Sequence, residues 1–388
     1  MMREGWEYKK FDEVFNLQMG KTPNRKNPDY FGGKNVWISI RDLGDKEVLE
    51  SNEHITDKAV SDTNIRKVKK GTVIMSFKLT VGKCGIAAKD LYTNEAIMAF
   101  NTKEGYDINS SFLYYYLQCY NWEGSNKAVM GITLNKATIS KQHINIPPKS
   151  TQLAIVSELD KINELIRLKK EQLKDFDNLA QSLFYEIFGD PVENEKGWEV
   201  KKLNEIVSDN CSISYGIVQP GDGIENGVPV VRPVDMTGTF VYRQGLKNTT
   251  KEISDSYKRT ILKGNEILMC VRGTTGLIAM ASSELRGCNV TRGITPIECG
   301  KSCNKWFIYY QISNSSIQQY IAEYTRGIAL KQINMKDVRD IPLCLPPLPL
   351  QHLFAQRIEQ IEHQKAEVQK AITDLETLLA SRMQYWFE

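Results

Sequence analysis

Two stretches of the chain repeat apolar residues at alternating intervals of three and four, a pattern that predicts coiled-coil helices. The first stretch follows a Pro-Pro pair at Pro147, where Ser150 or Thr151 is placed to cap a new helix, and Gly189 ends it. The second stretch covers residues 350–387. At about 1.5 Å per residue, each helix is roughly 50 Å long. Neither helix can bury its apolar stripe alone, so we expect the two to pair.

The predicted seam of this pair is made of aliphatic and aromatic residues. It consists of Ile155, Leu159, Ile162, Ile166, Leu173, Phe176 and Leu183 in the first helix and of Ile358, Ile361, Val368, Ile372, Leu375 and Leu379 in the second. Lys169 and Lys365 also fall on seam positions. We expect their ammonium groups to be solvated where the seam splays, and a role in fixing the helix register is the alternative.

The two blocks that precede the helices carry the same motifs in the same order, which indicates a tandem duplication. The paired motifs are GWEYKK and GWEVKK, KKGTVIMS and LKGNEILM, FLYYYL and FIYYQI, GITL and GIAL, and IPPKSTQ and LPPLPLQ. The end of the second helix, LASRMQYWF, also resembles the end of the first, LAQSLFYEIF. The repeat is therefore circular, because the pattern that stops at residue 388 resumes at Gly5.

The predicted fold class is α+β: two similar mixed α/β lobes joined by a long antiparallel two-helix coiled coil, related by a pseudo-twofold axis. Short apolar runs bounded by Gly, Asp and Asn predict strands in each block, and residues 109–120 and 304–324 have helical spacing. The tyrosines at 114–116 are expected to pack internally, with base stacking as the alternative. The predicted domains, lobe and helix in alternation, are residues 1–149, 150–188, 189–347 and 348–388.

Composition places the chain among ordinary globular proteins, with 41% hydrophobic and 25% charged residues in a length of 388. No apolar run reaches the length of about 18 residues that spans a membrane. The first ten residues lack the apolar core of a signal peptide, so we expect a cytoplasmic protein. The net charge of +3 is unevenly spread, because the helices are acidic and the blocks between them are basic. That bias suits contact between the blocks and nucleic acid.

The sequence offers no pattern for catalysis or metal binding. It has no Walker A loop and no GxGxxG, HExxH or GxSxG motif, and its four histidines are scattered. Cys299 and Cys303 have no second pair of ligands nearby, so the cysteines are expected to be free thiols. We interpret the chain as non-catalytic, with no metal or cofactor of its own.

The chain resembles the specificity (S) subunits of type I restriction–modification systems over nearly its whole length. The resemblance is carried by INIPPKSTQLAIVSELDKINELI, where the first helix starts, and by LAQSLFYEIFGDP and GWEVKKLNEI, where it ends. It implies two target-recognition domains that each read half of a bipartite double-stranded DNA site, and a helix pair that sets the spacer. It further implies docking of two methyltransferase (modification) subunits and of an endonuclease/translocase subunit, with S-adenosylmethionine, ATP and Mg bound by those partners.

The predicted DNA contacts are basic and small polar residues in loops of both blocks, since a Gly-bounded turn lets a cation approach phosphate or a base edge. They are Lys21, Thr22, Arg25, Lys26, Arg41, Lys78, Thr80, Lys83 and Lys136 in the first block and Arg232, Arg272, Thr274, Thr275, Arg292 and Lys331 in the second. Two other functions stay open: a duplicated protein–protein scaffold that does not read DNA, and an enzyme with a degenerate site in each lobe. Recognition subunits of type IIB-like systems share the same pattern of lobes and helices.

Overall fold

The computed structural model describes residues 3–122, 127–128, 131–132, 134–221, 223–327 and 330–387. The repeated GITL and GIAL motifs therefore lie only partly within the described residues. By its internal contacts the chain divides into two compact units, Met1–Lys169 with Ala371–Glu388, and Lys170–Lys370. Each unit contains one lobe and one segment of each long helix.

The first lobe consists of short strands and short helices, and the first long helix follows it. Its strands are β1 (Glu7–Lys10), β2 (Phe15–Met19), β3 (Phe31–Ile38), β4 (Glu47–Val48), β5 (His54–Ile55), β6 (Val73–Ser76), β7 (Cys84–Ala87), β8 (Tyr92–Thr93), β9 (Ile97–Thr102), β10 (Lys127–Ala128), β11 (Gly131–Ile132) and β12 (His143–Ile146). Its helices are α1 (Phe11–Val14), α2 (Asp57–Thr63), α3 (Ser110–Cys119) and α4 (Lys136–Lys141), and the long helix is α5 (Lys149–Phe188). A 3-10 turn covers Ile40–Asp42.

The second lobe is also made of short strands and short helices, and it precedes the second long helix. Its strands are β13 (Glu199–Lys202), β14 (Val228–Val231), β15 (Phe240–Val241), β16 (Lys247–Thr249), β17 (Ile267–Cys270), β18 (Ile278–Ala281), β19 (Asn289–Val290), β20 (Ile294–Ile297) and β21 (Pro342–Leu345). Its helices are α6 (Leu203–Ile206), α7 (Lys251–Ser256), α8 (Lys305–Ser313), α9 (Ser315–Glu323) and α10 (Met335–Arg339), and the long helix is α11 (Leu348–Phe387). A 3-10 turn covers Pro233–Asp235.

Both lobes are built on the same antiparallel core of three strands. In the first lobe β6 pairs with β7 and β9, and in the second β17 pairs with β18 and β20. A parallel strand extends each core, β4 on β7 and β15 on β18. A smaller sheet follows the same plan in both lobes, with the orders β5-β3-β8 and β16-β14-β19. The lobes differ at the strand next to β9. In the first lobe β2 pairs with β9 along its length, whereas in the described part of the second lobe the matching residues form only a single bridge, between Val207 and Cys299.

A buried glutamine ties the start of each long helix to its lobe. Gln152 is 1% exposed, donates to the carbonyl of the first proline of its Pro-Pro pair (3.0 Å) and accepts from the N–H of Asn109 (2.8 Å). Gln351 is fully buried and makes the same two bonds, at 2.8 Å and, from the N–H of Asn304, at 2.9 Å. Asn109 and Asn304 are the N-caps of α3 and α8. The repeated Pro-Pro and Gln pattern therefore positions the long helix and the lobe helix together.

Some predicted helix boundaries are wrong. Helix α5 begins at Lys149, so Ser150 and Thr151 lie within its first turn instead of capping it. The helix expected over residues 304–324 is broken at Asn314, whose side chain accepts from the N–H of Ser316 (2.9 Å) and so caps α9. An Asn side chain that binds nearby backbone competes with the helical hydrogen bonds, and helical spacing alone does not reveal this competition.

The tyrosines of α3 pack internally, as predicted. Tyr114, Tyr115 and Tyr116 are at most 8% exposed. The ring of Tyr116 lies 5.7 Å from that of Phe387, in the last turn of α11, and Phe387 is also 5.8 Å from Phe112. These rings are therefore part of the core that joins α11 to the first lobe, and base stacking by them is excluded.

The two long helices pair in opposite directions within each unit. In the first unit Glu158, near the start of α5, binds Arg382, near the end of α11. In the second unit Phe184, near the end of α5, packs on Phe354, near the start of α11, at 5.7 Å between ring centroids. Of the predicted seam residues, Leu173, Phe176, Leu375 and Leu379 are partly buried, and the others are at most 9% exposed.

Lys365 is a correction to the expectation of a solvated seam lysine. Its side chain is only 16% exposed, and its ammonium group lies 2.8 Å from a carboxylate oxygen of both Asp177 and Glu362. Burial by itself lowers the pKa of the Lys365 ammonium, but the hydrogen bonds from the two carboxylates more than offset this and raise the pKa. Hydrogen-bonded carboxylates on both helices make the buried charge tolerable, so Lys365 fixes a local contact between α5 and α11.

A charged cluster joins α5 to α11 in the first unit, and we expect it to make this unit sensitive to acid. The Glu158 carboxylate accepts from the indole N–H of Trp386 (2.8 Å) and from Arg382 (3.2 Å). The Arg382 guanidinium, with help from Trp386, lowers the pKa of the Glu158 carboxyl below its ordinary value of 4.5. A lowered folded-state pKa stabilises the fold above the unfolded pKa, and this stabilisation is lost as the pH falls through the folded pKa.

We therefore expect Glu158→Gln to lower the melting temperature by a few degrees at pH 7, and to have no effect at a pH well below 4. Thermal unfolding followed across this pH range checks the expectation. Glu164→Gln is the matched control: within the described residues the Glu164 carboxylate pairs with Arg167 of the same helix, and both side chains are more than half exposed, so water screens the pair and it contributes little. Equal effects of the two substitutions at pH 7, or an effect of Glu158→Gln that persists in acid, would contradict it.

Candidate nucleic-acid interface

Four loops of the first lobe are joined by backbone hydrogen bonds at one end of the sheet. The Lys21 N–H donates to the carbonyl of Thr93 (2.9 Å), which attaches the loop after β2 to the turn between β8 and β9. The Phe77 N–H donates to the carbonyl of Ala96 in the same turn (2.9 Å), and the Phe77 carbonyl accepts from Leu134 (3.0 Å). We call these loops, residues 20–26, 77–83, 93–97 and 134–136, the loop frame of the first lobe.

The second lobe has a loop frame with the same connections. The Ile217 N–H donates to the carbonyl of Val290 (2.8 Å), the Val271 N–H donates to that of Gly293 (2.8 Å), and the Val271 carbonyl accepts from Ile333 (3.0 Å). This frame consists of residues 216–218, 271–276, 290–293 and 331–333. Because backbone groups make the bonds, the two frames keep one geometry while their side chains differ.

The hairpin that joins two core strands protrudes from each frame. In the β6–β7 hairpin the Gly82 N–H donates to the carbonyl of Ser76 (3.0 Å), and in the β17–β18 hairpin Gly276 donates to Cys270 (2.9 Å). This bond places Lys78 and Arg272 at matching positions, as the sequence comparison predicts. The structure thus brings Lys78, Thr80, Lys83 and Lys136 together in the first frame and Arg272, Thr274, Thr275, Arg292 and Lys331 together in the second.

Three predicted cations are engaged with groups of their own lobe. Arg25 makes a two-pronged ion pair with Glu53 (2.5 and 2.8 Å) and lies over the ring of Trp37 (5.0 Å). Its hydrogen bonds lower the pKa of the Glu53 carboxyl. Arg232 binds Asp235 in the same two-pronged way (3.0 and 2.7 Å), and the Lys21 ammonium donates to a backbone carbonyl, that of Thr63 (2.6 Å). These contacts stabilise the loops, so the three side chains are the least available for DNA.

The remaining predicted cations form no ion pair with any residue that the structure describes. They are Lys26, Arg41, Lys78, Lys83 and Lys136 in the first lobe and Arg272, Arg292 and Lys331 in the second. All of them are exposed or half-exposed. Lys78 does lie over the ring of Phe77 (5.6 Å). Charges without an ion-pair partner can bind phosphate without first breaking an ion pair, so these side chains suit a polyanion best.

The predicted threonines divide in the same way. Thr80 and Thr274 are exposed at the hairpins, and no hydrogen bond of either side-chain hydroxyl is found among the described residues. Thr22 is half-buried, and the Thr275 hydroxyl lies 3.1 Å from that of Thr325. Thr80 and Thr274 are therefore free to bind a base edge or a phosphate, whereas Thr275 supports the hairpin.

Two residues in or beside the second frame, Gln332 and Arg326, are absent from the prediction. Arg326 is exposed and shares two backbone hydrogen bonds, both 2.8 Å, with Gln332. Gln332 also forms a bridge with Arg272. A cation and an amide therefore lie beside the β17–β18 hairpin. The sequence signal for Arg326 is that it directly precedes the repeated Gly327. The bridge from Gln332 to Arg272 joins residues that are far apart in the chain, so the sequence does not reveal it.

The described residues include no group of three or more His, Cys, Asp or Glu side chains placed to hold a metal ion. In the same residues, no helix has the length and apolar character needed to cross a membrane.

The model of one protein family, the type I restriction modification DNA specificity domain, matches the chain twice, at residues 3–175 and 195–377. The chain belongs to this family. Each match contains one lobe with its loop frame and most of the long helix that follows. Family membership confirms the predicted role as a DNA-sequence-recognition subunit, and it confirms the predicted fold class of mixed lobes with long helices. Specificity subunits are non-catalytic components of a larger complex, as expected for this chain.

Individual relatives agree with the family assignment. The MjaIX type I restriction enzyme specificity subunit of Methanocaldococcus jannaschii is 24% identical over 405 residues, which cover 96% of this chain and 90% of that protein. The EcoBI specificity subunit of Escherichia coli is 24% identical over 294 residues, covering 69% of this chain and 61% of that protein.

Solved structures show the same fold. A chain from a type I R-M system assembly superposes on all of this chain and 99% of its own length, with a TM-score of 0.61 and 17% identity. The S subunit from M. genitalium covers all of this chain and 96% of its own, with a TM-score of 0.52 and 13% identity.

Proposed function

We propose that each loop frame of this type I specificity-family member reads one half of a bipartite DNA sequence. The observation that carries the proposal is the pair of frames with one backbone geometry and different side chains. Lys78, Leu79 and Thr80 occupy the first hairpin where Arg272, Gly273 and Thr274 occupy the second. One docking geometry combined with two sets of side chains is what two different half-sites require, and a two-stranded hairpin fits the major groove, which is about 12 Å wide.

The cations without ion pairs supply the part of the binding that does not depend on sequence. A DNA duplex carries a phosphate about every 1.7 Å of its axis, and lysine and arginine side chains displace the counterions around it. Contacts to phosphate fix the position and orientation of a lobe, and contacts to base edges then select the sequence. We assign Lys83, Lys136, Arg292 and Lys331 to phosphate, because they border the hairpins, and Arg272 to a base edge, because it lies on one.

The long helices complete the proposal. We assign them the setting of the spacer between half-sites and the docking of two methyltransferase subunits, which an endonuclease/translocase subunit joins. Exposed apolar side chains on the outer surface of α5, such as Leu165 (47% exposed) and Leu168 (46%), favour docking of a protein there. S-adenosylmethionine, ATP and Mg would be bound by these partners, and the complex would work in the cytoplasm.

Exchange of one lobe tests the proposal. Residues 1–149 are replaced by the corresponding lobe of another family member, the chimaera is produced with its modification subunits, and methylated sites are identified by sequencing genomic DNA. We expect a new sequence in one half of the site, with the other half and the spacer retained. The reciprocal exchange of residues 189–347 is the matched control and should change the opposite half. A methylated site that neither exchange alters would contradict the proposal and favour a scaffold that does not read DNA.

A further inference from the structure

The first hairpin holds a leucine in a conformation that leucine disfavours. Leu79 has φ +63°, in the left-handed region, and its side chain is 63% exposed. For a residue with a Cβ this conformation is strained, and glycine adopts it freely. At the matching position of the second hairpin the chain has Gly273, with φ +87°. The same hairpin therefore forms with glycine at this position. In the first lobe the leucine does not help folding, because its backbone is strained and its side chain is not buried.

The second lobe exposes an apolar side chain on a different loop, a turn that lies beside its frame. Val234, in the 3-10 turn Pro233–Asp235, is 71% exposed. The matching turn of the first lobe, Ile40–Asp42, has Arg41 in that position, as the shared capping arrangement of Asp42 and Asp235 shows. Each lobe thus has an exposed aliphatic side chain at only one of two equivalent positions. The first lobe has it in the hairpin (Leu79, against Gly273), and the second has it in the 3-10 turn (Val234, against Arg41).

Both apolar side chains lie at the loop frames. Leu79 is in residues 77–83, and the turn that carries Val234 reaches the second frame through Pro233, whose ring would lie 2.9 Å from a Cβ placed on Gly293. Leu79 and Val234 are the two most exposed large apolar side chains in the described part of the chain. Single exposed apolar residues are common on protein surfaces. It is uncommon for such a residue to have a strained backbone, as Leu79 does, or for the exposed apolar position to differ between two equivalent surfaces of one chain.

We infer that Leu79 and Val234 are specificity-determining residues, each of which contacts the C5-methyl group of a thymine in the half-site that its lobe reads. This inference rests on the proposed function. The thymine methyl is the apolar group of the major groove and marks a T·A pair there, and aliphatic side chains recognise it by direct contact. The cations around each residue bind phosphate and so hold the apolar side chain against the base edge. The two halves of the site thus take their T·A preference from different loops.

The test uses Leu79→Gly and Val234→Ser in the full chain, assembled with its modification subunits. Leu79→Gly installs the residue of the second hairpin and removes the strain, so its melting temperature should be no lower than that of the unchanged protein. Val234→Ser removes both methyl groups of an exposed side chain, whereas a threonine would keep one methyl that can itself contact thymine. Sequencing of methylated sites should show that Leu79→Gly relaxes one T·A position in one half only, and that Val234→Ser relaxes one position in the other half. Leu49→Ala is the control, because Leu49 is 60% exposed but follows β4 at the outer edge of the sheet.

A second measurement identifies the methyl group directly. Duplexes in which deoxyuridine replaces each thymine in turn lack only the C5-methyl. We expect the unchanged complex to bind about fivefold more weakly when the contacted thymine is replaced, and the Leu79→Gly complex to be indifferent to that replacement.

Three results would overturn the inference. They are an unchanged base preference at every position in the Leu79→Gly complex, a half-site without a T·A pair, and binding that no deoxyuridine replacement weakens. These results leave the proposed function standing if exchange of residues 1–149 still alters the site, whereas an exchange without effect overturns the proposed function itself.

Discussion

Replacing Phe354 by alanine is expected to lower the free energy of unfolding of the second unit by about 3–5 kcal/mol. Phe354 is fully buried, and its ring lies 5.7 Å from Phe184, 5.3 Å from Phe188 and 5.5 Å from Tyr310. It therefore joins α11 to the end of α5 and to the lobe helix α8. Removing the ring leaves a cavity among aromatic side chains that are fixed on two other helices, α5 and α8, and cannot all move to fill it.

The neighbouring residue provides the control for this substitution. Leu353 is on the same turn of α11 and is 46% exposed, so Leu353→Ala should change the unfolding free energy by less than about 0.5 kcal/mol. Denaturant-induced unfolding, followed by tryptophan fluorescence, measures both variants. Similar losses for Phe354→Ala and Leu353→Ala would show that the aromatic cluster does not hold α11 to the lobe.

Gly20→Ala and Gly216→Ala are each expected to abolish reading of one half-site. A Cβ on Gly20 would lie 2.2 Å from the carbonyl oxygen of Thr93, and a Cβ on Gly216 would lie 2.2 Å from that of Val290. Both neighbours are backbone atoms of the frame, so the loop after β2, or its counterpart, must move away. Overpacking of this kind costs about 1–3 kcal/mol in stability. Since displaced loops no longer present their side chains to DNA, we expect specific affinity to fall by at least about a hundredfold.

Two other glycines separate this effect from a general intolerance of alanine. Gly44 and Gly238 have no atom within 4 Å of a Cβ placed on them, and neither has a left-handed backbone. Gly44→Ala and Gly238→Ala should therefore bind and fold like the unchanged protein. Binding of the assembled complex to its methylation site, measured by fluorescence anisotropy, compares the four variants. Normal affinity of both Gly20→Ala and Gly216→Ala would mean that the frames do not position the reading residues.

The duplicated plan of the molecule was predictable because repetition is visible without any knowledge of contacts. The motifs around Trp6 and Trp198 become β1 and β13, and the Pro-Pro and Gln pattern becomes the buried attachment of Gln152 and Gln351. Heptad spacing predicted α5 and α11 well, since their apolar stripes extend over many turns. The break at Asn314 was missed, because an apolar stripe can continue across a residue whose side chain ends one helix and caps the next.

The sequence predicted the candidate site as a set of basic loops. It did not predict which of the basic side chains are free of ion pairs and so available to bind DNA. Arg25, Arg232 and Arg272 are all arginines at loops, yet carboxylates of their own lobes bind the first two and no described carboxylate pairs with the third. Strands β3 and β4 lie between Arg25 and its partner Glu53 in the sequence, so their ion pair cannot be inferred from residue spacing. Lys365 was misjudged for the same reason, since one of its two partners, Asp177, lies on the other long helix.

By itself the sequence determined that the chain is a circular duplication, that each copy is a lobe followed by a long helix, and that positive charge lies in the lobes. These properties depend on periodicity and repetition, which residues close in sequence carry. Only the tertiary structure decided that four separate loops meet in one frame, because backbone hydrogen bonds such as that from Phe77 to Ala96 impose no residue type. Only the tertiary structure placed Leu79 in a left-handed conformation at an exposed tip, because the pairing of β6 with β7 determines the turn between them.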